Sequence, residues 1–410
     1  MKNLWGNAQK NSFCQLSAMG IVSALGNKHK EILKNLLSGP PGKLTEGPNL
    51  LNERKFGVRN VKTTLAEIPE KLSRYRCRNN ALALTAFQQI EERVESVREN
   101  TESFRMGVVM GTSTSGMLST EQALRFRNDT GQFPEQFDYA QHEMNGLADF
   151  IAEYSGITGP AYTISTACSS SAKVFASGRA LLEMGLCDAV VIGGSDSLCE
   201  FVLNGFSSLE VLSPEISNPL SQNRQGINLG EGACVFLMKR MPGGIQLRGV
   251  GESSDAHHMS SPDPQGRGAQ SAMQNALNDA KMTPDEIQYI NLHGTATRLN
   301  DEMESRAVQN VFPSSPFCSS TKPFFGHCLG AAGSIEAGVC WLTLTSGINS
   351  EKTIILPPHS WDEQADTALP ELTMVRPGQS IPAQGEVNLM SSSFGFGGNN
   401  FSLILSYDFD

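Results

Sequence analysis

Cys168, His293 and His327 combine reactive side chains with local patterns that favour chemistry. Cys168 follows the β-rich run Ala161-Tyr-Thr-Ile-Ser-Thr166 and precedes three serines and a helical pattern through Ala172, Phe175, Ala176, Ala180 and Leu181. A sulfur placed there lies at the positive end of a helix dipole, which lowers a thiol pKa and makes a nucleophile. A buried structural cysteine fits the same position, and that reading is adopted for the other eight, at 14, 77, 187, 199, 234, 318, 328 and 340. The two histidines, out of seven, stand in turn-forming segments: His293-Gly-Thr-Ala-Thr-Arg-Leu-Asn-Asp301, and Lys322-Pro-Phe-Phe-Gly-His327 ahead of Gly330-Ala-Ala-Gly333. Without HxxxH-type spacing, both read as hydrogen-bond donors or bases rather than metal ligands.

Elements that hand a strand over to a turn and then a helix must position these residues. The first is the segment around Cys168; the second runs from Tyr289-Ile-Asn-Leu292 through His293 into a helix expected near Asn300-Asp301, with Ser or Asp type capping at its front. A buried strand, Ala189-Val-Val-Ile192, is expected to close at Gly193-Gly194. Strands alternating with helices of this length imply parallel crossover units and an α/β layered fold. Glycines at 326 to 333 and 395 to 398 mark tight turns or close approach to a ligand. A seam at Met241-Pro-Gly-Gly244 divides the chain into two halves of similar kind, 1–243 and 244–410.

The net charge of −10 excludes a sequence-wide basic field for nucleic acid, so an acidic partner must dock on a local patch. An odd number of cysteines without CxxC spacing argues against a disulfide framework or a zinc site. Met1 to Leu25 lacks the basic start and apolar stretch of a secretory leader, and no run of about eighteen apolar residues suggests a membrane span. A cytoplasmic protein is expected. No P-loop or strand-linked G-x-G-x-x-G is present, so no nucleotide or catalytic metal is implied.

Four segments together resemble the signatures of the β-ketoacyl-acyl-carrier-protein synthase family: Thr166-Ala-Cys-Ser-Ser170, His293 to Thr297 with Asn300-Asp301, Lys322 to Gly333, and Ser393-Phe-Gly-Phe-Gly-Gly-Asn399. The resemblance extends from about Leu16 to Leu405. It implies the thiolase fold, two similar halves stacked as five alternating α and β layers. It also implies that Cys168 carries an acyl group as a thioester and that His293 and His327 stabilise the enolate formed when a malonyl thioester loses carbon dioxide. By the same resemblance, the amides of Cys168 and Phe396 form an oxyanion hole, Gly395 and Gly397 allow that approach, and Phe396 is a mobile gate. Lys322 and Glu304 resemble paired charges behind the histidines, and Thr295 and Thr297 resemble hydroxyls that hold a phosphopantetheine arm. Cys328 falls at a variable family position and reads as packing.

Having Cys168, His293 and His327 together favours the elongating type over the chain-initiating type and thiolases, and the cysteine sets the chain apart from a chain-length factor. Asn223-Arg-Gln-Gly-Ile-Asn-Leu-Gly-Glu231 replaces an Arg-Asp-Gly-Phe-like run of fatty-acid enzymes and is similar to ketosynthases of bacterial polyene pathways, including aryl polyene ones. Gly111-Thr-Ser-Thr-Ser-Gly116 places small hydroxyls, Thr114 among them, where the family lines the far end of its acyl pocket. Acyl carrier protein is the implied partner, docking on Lys71, Arg74, Arg76 and Arg78, for which a solvated helix face is the alternative. Dimerisation, with another copy or with a chain-length factor, is expected through the strand beginning at Ala189. No organic cofactor is implied, though a structural monovalent cation near Asn300, Glu336 and Ser391 is a family feature. A non-elongating scaffold and a cysteine acyl hydrolase are the competing functions.

Overall fold

The computed structural model describes residues 14–48, 50, 54–348 and 353–410. The first thirteen residues, where the leader reading starts, lie outside the described ones.

The N-terminal half contributes β1 (Gln15–Val22), β2 (Met106–Gly111), β3 (Ala161–Ile164), β4 (Ala189–Asp196) and β5 (Gly232–Lys239), in the spatial order β1-β5-β4-β2-β3. The C-terminal half contributes β6 (Gln246–Ser254), β7 (Tyr289–Asn291), β8 (Phe317–Ser319), β9 (Glu386–Gly395) and β10 (Asn399–Asp408), in the order β6-β10-β9-β7-β8. Strand for strand these are the same topology. In each half the first two pairings are antiparallel and the last two parallel. The sheets meet where Gln15 of β1 pairs with Gln246 of β6.

Helices α1 (Arg78–Phe87) and α2 (Gly146–Ser155) cover the outer face of the first sheet. Helix α3 (Ser170–Glu183) and, from the other half, α6 (Ala332–Ile348) pack against each other between the sheets. Helix α4 (Arg267–Ala280), with α5 (Arg298–Val311) against it, covers the second sheet. Five alternating layers result, as the thiolase resemblance implied. Strands β2 and β4 are buried along their whole length, which is why they read as continuous apolar runs rather than alternating ones. Helix α6 is apolar nearly all round because it lies in the middle layer; its single charged residue is Glu336.

Three expectations change. Gly193 and Gly194 do not close β4, which continues to Asp196; a Cβ at 193 would come 2.2 Å from the Cys234 carbonyl, and one at 194 would come 2.4 Å from the Ser171 Cβ. These glycines serve close packing. Helix α5 starts earlier than expected, with Thr297 as its N-cap residue and no side-chain capping bond. Strand β4 lies inside the sheet between β5 and β2, so it cannot extend the sheet to a second chain; β3 is the edge strand of this half.

Candidate active site

Parallel strands present their carboxyl ends to one side of a sheet, and the loops leaving those ends build sites. The duplicated topology makes these loops correspond. Cys168 lies between β3 and α3, and His327 holds the equivalent place between β8 and α6. His293 follows β7 as the 112–114 turn follows β2, and the Phe396 loop follows β9 as Asp196 ends β4. The middle-layer helices bring the halves together: the Ser334 amide donates to Ser171 Oγ at 2.9 Å, and a Cβ on Gly333 would lie 2.6 Å from that of Ala172.

The chain turns into Cys168 through Ala167, which holds φ at +53°, a left-handed conformation that costs a non-glycine residue energy. Ser170 braces the turn, its Oγ accepting from the Thr166 amide and donating to the Ala167 carbonyl. The expected low thiol pKa is not found. Burial pushes Cys168 up to about 11 and the Asp196 carboxylate adds to the rise, against opposing pulls from the Lys322 ammonium and the amides of Phe396 and Cys168. The sulfur sits at a helix start, as expected, but desolvation of the thiolate outweighs that position. The Phe396 and Cys168 amides facing the sulfur are the donors implied for the oxyanion hole. A Cβ at Gly395 would lie 2.9 Å from the Thr166 carbonyl and 3.3 Å from the Cys168 nitrogen. Gly397, with φ of +78°, donates its amide to the Met259 carbonyl at 2.7 Å.

The His293 and His327 rings meet at 87° with centroids 5.4 Å apart. Lys322 Nζ lies 3.3 Å from His293 Nδ1. An ammonium can only donate, so Nδ1 accepts, and the neutral ring carries its proton on Nε2. Burial first, then the Lys322 charge, holds both imidazoles well below their ordinary pKa. His327 is fixed through its backbone, donating to the Asn228 carbonyl and accepting from the Gly230 amide.

The charges behind the histidines pair differently from the expectation. Lys322 binds Glu336, not Glu304. Glu304 instead accepts from the amides of His293 and Gly294, both at 2.7 Å, and so fixes the backbone of the histidine turn. One turn earlier on α5, Asp301 accepts from the amides of Leu220 and Ala296. Burial raises Glu304 and Glu336 to about 7 and Asp301 to about 6.

One cavity of about 360 Å³ is lined by Cys168, His293, His327, Thr295, Thr297, Phe396, Gly395 and Gly397 together. Phe396 stacks on Phe206 at 5.6 Å and 16°. Ile227 and Arg224 of the divergent run also line it, and Thr295 and Thr297 share a 2.8 Å hydroxyl contact. Phe206 stands in no motif of the sequence, and Arg224 was read only as part of the divergent run. Arg224 is buried and paired with Asp366 at 2.6 Å.

Other expected residues lie elsewhere. Thr114 does not line the cavity; its hydroxyl is bound to Asp196 at 2.6 Å. Lys71, Arg74, Arg76 and Arg78 are also absent from the cavity lining. Arg74 pairs with Glu153, Arg76 with Glu70, and Arg78 with the buried Glu231. Among the described residues that line the cavity, Arg298 is the exposed cation. Of the residues expected near a cation, the Asn300 amide nitrogen faces Asp301 and Glu304, Glu336 binds Lys322 through Oε1, and Glu336 Oε2 is buried without a partner among the described residues. Cys328 is fully buried in the apolar core, as packing requires.

A thiolase-type fold with a cysteine and two neutral histidines around one cavity defines an acyl-transferring condensing enzyme. Residues 16–242 match the N-terminal domain of β-ketoacyl synthase and residues 245–353 its C-terminal domain. Nodulation protein E of Rhizobium meliloti is 30% identical over 73% of this chain and 74% of its own length. The 3-oxoacyl-[acyl-carrier-protein] synthase 2 of Vibrio cholerae is 28% identical over 95% and 97%. The ketosynthase ApeO, solved with its chain length factor ApeC from Xenorhabdus doucetiae, is 42% identical, superposes with a TM-score of 0.90, and matches 98% of this chain and all of that one. The chain belongs to the β-ketoacyl synthase family.

Proposed function

We propose that this protein is the catalytic subunit of a ketosynthase that lengthens acyl chains held on an acyl carrier protein, in a polyene or related type II pathway. The observation that carries this reading is the convergence of Cys168, His293 and His327 on one cavity. Acyl transfer to Cys168 releases the carrier thiol. The Cys168 proton must leave at that step, and a neutral imidazole on the same cavity wall can accept it. A malonyl thioester then loses carbon dioxide, and His293, presenting Nε2–H, stabilises the enolate oxygen together with His327. The enolate carbon attacks the acyl-Cys168 carbonyl, the amides of Cys168 and Phe396 hold the resulting oxyanion, and collapse expels the thiolate to leave a β-ketoacyl carrier. Thr295 and Thr297 line the route for the pantetheine arm. Every step is served by side chains and backbone amides of this chain and calls for no organic cofactor.

Similarity to ApeO and the run with Ile227 support the polyene assignment over primary fatty-acid synthesis. A partner subunit is supported by the edge strand β3 and the loop beside it, where Asn145 accepts from the Thr163 amide and Phe133, Tyr139 and Met144 are exposed. A chain-length factor is the partner we assign, because the ketosynthase ApeO is solved with one. We place the division between the halves at 243/244 and the protein in the cytoplasm; among the described residues no helix is long and apolar enough to cross a membrane.

The test is intact mass after exposure to short, long and polyenoyl carrier thioesters, alone and with a co-purified partner, using Cys168→Ala as control. An adduct confined to Cys168, followed by malonyl-dependent extension, is expected. No adduct even with the partner would favour a non-elongating scaffold, and a transient adduct released as free acid would favour a hydrolase.

A further inference from the structure

Asp196 is fully buried at the end of β4, and no role for it was read from the sequence. Its carboxylate accepts from the hydroxyls of Thr112 at 2.7 Å, Ser113 at 2.9 Å and Thr114 at 2.6 Å. It also accepts from the amides of Ser113 at 3.0 Å and Thr114 at 2.9 Å. A carboxylate gathering this many donors from one turn fixes that turn's shape. The contact continues into the other half, because Ser113 Oγ accepts from the Gly330 amide at 3.2 Å, three residues beyond His327. A side chain at 330 would be shut out: its Cβ would lie 2.6 Å from Asp196 Oδ2 and 2.7 Å from the Ser113 nitrogen.

We propose that Asp196 is a positioning residue of the condensation reaction: it locks the 112–114 turn and ties that turn through Ser113 to the His327 loop. The proposal rests on the reading of Cys168 as the nucleophile. The duplicated topology supports it, because the same strand end in the C-terminal half carries the oxyanion loop, whereas here it carries a carboxylate.

The experiment compares condensation kinetics of the parent, Asp196→Asn and Ser113→Ala, beside Cys168 alkylation by iodoacetamide read by intact mass. Asp196→Asn loses the carboxylate that gathers the 112–114 donors, so its kcat for condensation should fall by roughly tenfold or more at unchanged KM. Ser113→Ala removes the link to the Gly330 amide and should lower kcat in the same way, with Cys168 still alkylated at the parent's rate. An unchanged kcat would overturn the positioning role, whether or not Asp196→Asn folds. If the parent takes no acyl group on Cys168, the nucleophile reading fails; if it does and both variants behave like it, only the Asp196 inference fails.

Discussion

The Lys322 ammonium lies between the Glu336 carboxylate and Nδ1 of His293, 3.3 Å from the ring nitrogen, with all three side chains buried. Glu336 balances the buried ammonium, and the ammonium in turn fixes which histidine nitrogen carries a proton. Two effects of Lys322 can therefore be separated. Lys322→Met leaves Glu336 buried and unpaired, which should cost about 3–5 kcal/mol of stability. The double variant Lys322→Met/Glu336→Gln should recover most of the melting temperature but not malonyl decarboxylation, since His293 has still lost the donor at Nδ1. Calorimetry and a decarboxylation assay on the parent and both variants check this. Recovery of both properties in the double variant would mean that Lys322 acts through stability alone.

Removing a histidine should split the two half-reactions. His293→Ala deletes an enolate donor but leaves the Cys168 and Phe396 amides in place. Loading of Cys168, followed by intact mass, should stay within a few-fold of the parent, while decarboxylation falls on the order of a hundredfold or more. Equal losses in both steps would place His293 in acyl transfer instead.

His359 offers a stability test outside the cavity. Its Nδ1 accepts from the Ser320 amide at 3.1 Å and its Nε2–H donates to the Pro219 carbonyl at 3.1 Å, so it is neutral in the folded protein. Burial lowers its pKa from 6.5 to about 4. The unfolded chain binds the proton first, so the contribution of His359 is complete above pH 6.5 and is lost as pH falls towards 4. The stability advantage of the parent over His359→Gln should shrink across that window by up to about 3 kcal/mol. Denaturant melts at several pH values measure it, and a gap independent of pH would show that protonation of His359 is not linked to unfolding.

What the sequence revealed and what it hid follow one physical division. Cys168, His293, His327 and the 395–398 loop were legible because each is embedded in a short motif whose glycines and hydroxyls serve the local backbone. The pairing of Lys322 with Glu336 was not, since Glu336 stands on an otherwise apolar helix and its partner is fixed only when that helix takes its place between the sheets. Asp196 was hidden for the same reason: a lone acid ending an apolar strand shows its purpose only when the 112–114 turn folds onto it. The thiol pKa was misread because a helix start is a local feature, whereas burial is a property of the whole fold.

The arginine run of residues 74 to 78 separates into structural and surface members, which changes the expected docking phenotype. The Arg78 guanidinium grips Glu231 through Nε at 2.8 Å and through Nη2 at 2.5 Å. Glu231 is 1% exposed and also accepts from the Val61 amide at 3.0 Å. Arg78→Glu therefore sets a half-buried carboxylate against the buried one of Glu231, and it should lower the melting temperature by several degrees. Its KM for the acyl carrier protein should change little in whatever folds. Arg298 is exposed at the cavity mouth, so Arg298→Glu should leave melting unaltered and raise that KM several-fold, more at low salt than at high. Arg74 and Arg76 are paired to acids at the surface and should show smaller effects of either kind. A KM that responds to Arg78 but not to Arg298 would return the docking site to the α1 side of the molecule.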